Sequence, residues 1–94
     1  MIIAQVDFLG PDRGGRNTPP MSGFRPQVDV LGTHTSCLVE STEGKEVFPF
    51  GSIHSVSLTL MHAKHFPNAL QIGDIVNFYE GNKLIGVGTV VDRR

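Results

Sequence analysis

The sequence predicts an all-β domain, an antiparallel barrel or sandwich. Apolar and polar residues alternate with period two in six or more segments of strand length, and turn-forming Gly, Pro, Asn and Asp separate those segments at regular spacing. No helix longer than a turn is indicated. With 94 residues the chain is expected to form a single domain, residues 1–94, large enough for one modest core and too small for two.

The first strand is expected from Ile2 to Phe8, where Ile2, Ala4, Val6 and Phe8 share one face and Gln5 and Asp7 the other. Gly10, Pro11 and Asp12 stop it. A second strand starts at Phe24 and runs through Val28 and Val30 towards Leu31, with Pro26 tolerable only at an edge or a bulge. Gly32 breaks it. A third, about Thr35 to Glu40, carries Cys37 and Val39 on one face. The polar turn Ser41 to Gly44 leads to a short fourth around Lys45 to Phe48, ended by Pro49 and Gly51. The clearest alternation follows, with Val56, Leu58 and Leu60 facing one way and Ser55, Ser57, Thr59 and Met61 the other. Phe66, Pro67 and Asn68 interrupt. Leu70, Ile72 and Gly73 then lead into a strand from Asp74 to Glu80 with Val76 and Phe78 inward. A tight turn from Glu80 to Asn82 opens the last strand, about Lys83 to Val91, in which Gly86 and Gly88 share a face where another backbone could approach closely. The first and last strands run to the two ends of the sequence, so the termini are expected to meet.

The richest backbone chemistry lies between residues 14 and 27, reading GGRNTPPMSGFRPQ. Gly14, Gly15 and Gly23 can take positive φ, whereas Pro19, Pro20 and Pro26 fix φ and remove an amide donor. This excludes a helix or an inner strand and predicts a rigid loop holding Arg16 and Arg25, with Arg13 just upstream. Such a loop loses little freedom on binding. The plainer reading is a loop that crosses one end of a β-domain with its arginines solvated and Phe24 plugging the end.

The order Gly14, Gly15, Arg16, Thr18, Pro19, Gly23, Arg25, Pro26, Gln27 resembles the signature loop of the C-terminal, third β-barrel of elongation factor Tu. Glu80, Gly81, Gly86, Gly88 and Val90 resemble the last hairpin of that barrel, and Thr59, Leu60 and His62 its central strand. The likeness spans about Gln5 to Val91, weakest from Gly32 to Ser55. It implies a closed six-stranded antiparallel β-barrel acting as a non-enzymatic binding module linked to translation. The partners it implies are the T-stem backbone of tRNA or a translation-factor partner protein. The family's tRNA face maps onto Arg16, Asn17, Gln27, Glu80 and Gly81, with Arg13, Arg25 and Lys83 as additional cationic contacts. Duplex RNA is read through phosphates and 2′-hydroxyls, which suit an arginine, a short amide and backbone N–H groups at a glycine turn. Asn17 stands where the family has histidine, Pro20 and Met21 where it has an aromatic pair, and Tyr79 and Lys83 where arginines flank the glycine turn, so local positive charge is lower here. The alternative is a protein-interaction or assembly module without RNA contact.

No GxxxxGK[ST] phosphate loop is present, and Gly44-Lys45 lacks both the earlier glycine and the following hydroxyl, so no nucleotide site, GTPase activity or cofactor is expected. A formal net charge of −1 argues against a general nucleic-acid coat and makes any polyanion contact local. The hydrophobic fraction is 39%, with no apolar run of membrane-span length. Asp7 and the lack of a basic leader read the first residues as a strand, not an export signal, so a cytoplasmic location is expected. The single cysteine, Cys37, agrees with a reducing compartment. His34 with Cys37, and His62 with His65, have zinc-like spacing, but nothing in the sequence joins the pairs and no metal is expected. Cys37 reads as a buried inert thiol, not a nucleophile.

Overall fold

The computed structural model describes residues 1–65 and 68–94; the break expected at Phe66 and Pro67 lies outside them. Six strands form where the period-two alternation is densest: β1 (Ile2–Phe8), β2 (Gln27–Val30), β3 (Thr33–Ser41), β4 (Ile53–Leu60), β5 (Ile75–Glu80) and β6 (Lys83–Arg93). They close into an antiparallel barrel in the order β1-β4-β3-β2-β5-β6. β6 pairs back onto β1 from Ile2↔Arg93 to Phe8↔Gly86, and the Arg94 amide donates to the Met1 carbonyl at 2.7 Å, so the two ends of the chain meet.

The inward faces are those the alternation predicts. Val6, Val28, Cys37, Val39, Val56, Val76 and Phe78 are fully buried. Phe8 organises the upper half, stacked on Phe48 with ring centroids 5.1 Å apart and packed edge-on to Phe24 at 5.7 Å. Opposite it on β6, Gly86 and Gly88 supply the missing volume: a Cβ at Gly88 would lie 2.7 Å from Val6 Cγ2 and one at Gly86 3.0 Å from Phe8 Cδ1. The closest neighbours at these glycines are therefore side chains of the barrel interior, joined at Gly88 by the Gln5 carbonyl.

Three expectations need correction. The segment Lys45 to Phe48 is not a strand: Val47 makes an isolated bridge to Met21, and Phe48 plugs the barrel with its amide on the Pro20 carbonyl at 2.9 Å. Pro20 offers a carbonyl but no N–H, so a ladder cannot grow beyond this rung. β2 starts at Gln27 rather than Phe24, because Pro26 likewise cannot donate; Phe24 keeps one bridge, to Val39. Gly15 does not have positive φ; Gly14 and Gly23 do, at 75° and 94°. The requirement at Gly15 is close approach, since a Cβ there would overlap the Leu9 carbonyl. The sequence also gave no sign that His54 is buried. Its Nε2 donates to the Pro49 carbonyl at 2.7 Å beside Phe8 and Phe48.

Strand directions place residues 9–26, residues 42–52 and the β5–β6 turn at one end of the barrel, called upper here. Residues 61–65 and 68–74 lie at the lower end, where Ala69 and Leu70 are buried.

Gly14 and Gly15 of the upper loop separate strain from clash. Gly15→Ala should lower stability in urea denaturation by about 3 kcal/mol through overpacking. Gly14→Ala has open space and should lose only the left-handed penalty of about 1 kcal/mol. Equal losses would contradict the assignment.

Candidate nucleic-acid interface

A chain of short-range bonds delivers Arg16 to the rim. Pro11–Arg13 forms one 3₁₀ turn, Gly14 ends it in the left-handed region with its N–H on the Pro11 carbonyl, and Gly15 N–H bonds Gly10 O at 2.9 Å. Arg16 N–H then bonds Leu9 O at 2.9 Å, while Leu9 N–H bonds Ile85 O at 2.9 Å, tying the loop to β6. Ile85 is an extra residue in the ladder, since Phe78 pairs with Gly86 but Tyr79 with Leu84. Such a bulge bends the strand and increases its twist.

There the Arg16 side chain is tied down on three sides. One guanidinium N–H donates to Glu80 Oε2 at 2.6 Å, Nε donates to the Thr18 carbonyl at 3.0 Å, and the guanidinium carbon lies 5.7 Å from the Phe24 ring centroid. Only 22% of the side chain is exposed. Gly81, at φ 61°, makes the turn that leaves Glu80 opposite Lys83. Gln27 is exposed on β2, paired with Ser36 on one side and Tyr79 on the other, one residue from Glu80. Asn17 is exposed beside Arg16. Arg16, Gln27, Glu80 and Gly81 therefore share one sector of the upper rim.

Arg13 does not join them. It pairs with Asp7 of β1 at 2.9 Å, three strands around the barrel from β2 and separated from Glu80 by β6. Arg25 and Lys83 are exposed and make no ion pair among the described residues. The rim is thus a mixed surface in which the central arginine carries its own counter-ion, a feature invisible in the sequence because the partners are 64 residues apart. Tyr79 stacks on His34 across β2 with centroids 4.6 Å apart, another contact that sequence reasoning missed.

Strand parity separates His34 from Cys37, while His62 and His65 lie off the strands with ring centroids 6.1 Å apart. Residues three apart on a strand point to opposite faces, so Cys37 is buried opposite Leu60 while His34 is outside. His34 instead shares a shallow groove with His62 and His65, but among the described residues no group of three or more His, Cys, Asp or Glu side chains is placed to hold a metal ion. Burial pushes the Cys37 thiol from its ordinary 9.0 up to about 12.

Fold and rim together define a small closed antiparallel barrel that presents a partly self-neutralised polar surface at one end. No protein-family model matches the chain. Among the described residues no helix is long and apolar enough to cross a membrane.

Two measurements test this description. A double-mutant cycle on Arg16→Ala and Glu80→Gln should give a coupling below about 1 kcal/mol, as for other solvent-reached pairs. Because the folded-state pKa of Cys37 lies above its unfolded value, its contribution to stability is complete below about pH 9 and falls as pH rises towards 12. Cys37→Ala should flatten that alkaline decline, and thiol labelling of the native protein at pH 8 should be slow.

Proposed function

We propose that the protein is a non-enzymatic binding module whose upper rim engages the sugar-phosphate backbone of structured RNA, the T-stem of tRNA foremost, as the resemblance to the third barrel of elongation factor Tu implies. On this reading it works in the cytoplasm with the translation machinery. The observation that carries the proposal is the meeting of Arg16 with Glu80, which joins the signature loop to the final hairpin beside Gln27. A guanidinium, an amide and the exposed turn at Gly81 are the donors that phosphates and 2′-hydroxyls accept from.

The charge balance sets the strength of such binding. Arg16 and Arg13 already hold carboxylates, leaving Arg25 and Lys83 as the cations of this end without an ion pair among the described residues. Binding is therefore weak, local and insensitive to base sequence. Glu80 competes with a phosphate for Arg16.

A second reading has its own observation. Met21 and Val47, 59% and 41% exposed, are bridged to each other on the same end of the barrel. An apolar pair beside neutralised arginines suits a protein partner, such as a translation factor.

Anisotropy of labelled aminoacyl-tRNA at low and physiological salt separates the two. The RNA reading expects saturable binding whose log K falls with log salt by about one unit per phosphate contacted. Arg16→Ala should weaken it about tenfold, the worth of one charge-assisted hydrogen bond, and Arg25→Ala should weaken it with the fold unchanged. No binding at low salt would overturn the RNA reading and leave the Met21–Val47 surface as the site to pursue.

A further inference from the structure

The barrel is incompletely zipped at its lower end, between β2 and β5. Pairing across this seam covers only Gln27↔Tyr79 and Val28↔Phe78. Below those rungs Asp29 and Val30 keep ladder partners on β3 alone, and Ile75, Val76 and Asn77 on β6 alone. The opening is a cleft of about 220 Å³ walled by Asp29, Val30 and Leu31 on one side and Asp74 and Ile75 on the other, with Leu70 also lining it.

Two features of this cleft are costly to the folded protein. Leu31 and Leu70, at φ 51° and 58°, are the non-glycine residues with positive φ among the described residues, and both line it. A left-handed residue is needed at Leu31, since it and Gly32 turn the β2–β3 hairpin, but Asn, Asp or Gly take that conformation readily and a leucine does not. Leu31 is also 88% exposed, and Ile75 62%. At Leu31 strain and exposed apolar surface coincide without serving the core, whereas Leu70 is buried in it.

The polar lining has one sign. Asp74 Oδ2 accepts the Gln71 backbone N–H at 2.8 Å, and Asp29 Oδ1 is buried without a hydrogen-bond partner among the described residues. Among the described residues no lysine or arginine lines the cleft. His34, the register partner of Asp29, has its ring stacked on Tyr79. Drug-sized ligands occupy about 300–1,000 Å³, so this volume suits one long side chain. A ligand with an apolar stem and a cationic, hydrogen-bonding head matches both the leucine-isoleucine walls and the two carboxylates; arginine combines these and binds carboxylates with two parallel N–H donors.

We propose that the cleft between β2 and β5 receives an arginine side chain of a partner protein, borne on a short segment whose neighbouring apolar residue covers Leu31 and Ile75. The site is at the opposite end of the barrel from the rim proposed for RNA and does not depend on that reading.

The test is an amide-resolved NMR titration of the ¹⁵N-labelled protein with acetyl-Leu-Arg-Leu-amide, with the same peptide carrying citrulline in place of arginine as the uncharged control. Saturable shifts centred on Leu31, Ala69 and Ile75 are expected, with the citrulline peptide and the Asp29→Asn and Asp74→Asn variants each binding about tenfold more weakly. Leu31→Asn should raise the urea midpoint while weakening the peptide, since it removes strain and apolar contact together. Absence of saturable shifts, equal binding of the citrulline peptide, or a lowered midpoint for Leu31→Asn would overturn the proposal. So would shifts of the same amides on concentrating the protein alone, which would assign the cleft to a second copy of this chain.

Discussion

The pairing of β1 with both β4 and β6 closes the sheet, and it does so around Val6 and Phe8 only because Gly86 and Gly88 carry no side chains opposite them. A small barrel has little interior to share. Each ring that enters it must be matched by absence elsewhere. Phe8 thereby gains room to stack with Phe48, which caps the upper end, while Phe24 covers its edge. The upper loop in turn is built on the end of β1, where Leu9 bonds Ile85 through its amide and Arg16 through its carbonyl.

Closure also explains why the two ends differ chemically. At the upper end, long loops fold back on the barrel and hold two of their three arginines against acidic neighbours, Arg13 to Asp7 and Arg16 to Glu80. These pairs are solvent-reached and contribute little stability; their effect is to set how much positive charge the rim offers. At the lower end Ala69 and Leu70 fill the opening, but the β2–β5 seam keeps only two paired positions. Positive φ at two leucines sits where the sheet is least complete.

Much of the architecture was legible in the residues. The inward positions Val56, Leu58 and Leu60 follow from parity alone, and so does the turn at Gly81 from its place between two alternating runs. The limits of β2 and of the Lys45–Phe48 segment were misplaced because apolar character reads as strand even where a proline, Pro26 in the strand itself or Pro20 in the partner, has no donor to continue a ladder. His54 was missed for a related reason: its burial depends on the Pro49 carbonyl and the Phe8 and Phe48 rings, which only the fold brings to it.

Local chemistry by itself therefore determined the strand pattern, the rigid proline-glycine loop and the identity of the cations on it, because side-chain parity and allowed φ are properties of a few neighbouring residues. The tertiary structure decided which of those cations are neutralised, which histidines share a groove and where the barrel's seam is shortest. These depend on distances between segments up to 64 residues apart, as at Arg16 and Glu80, and no local spacing encodes them.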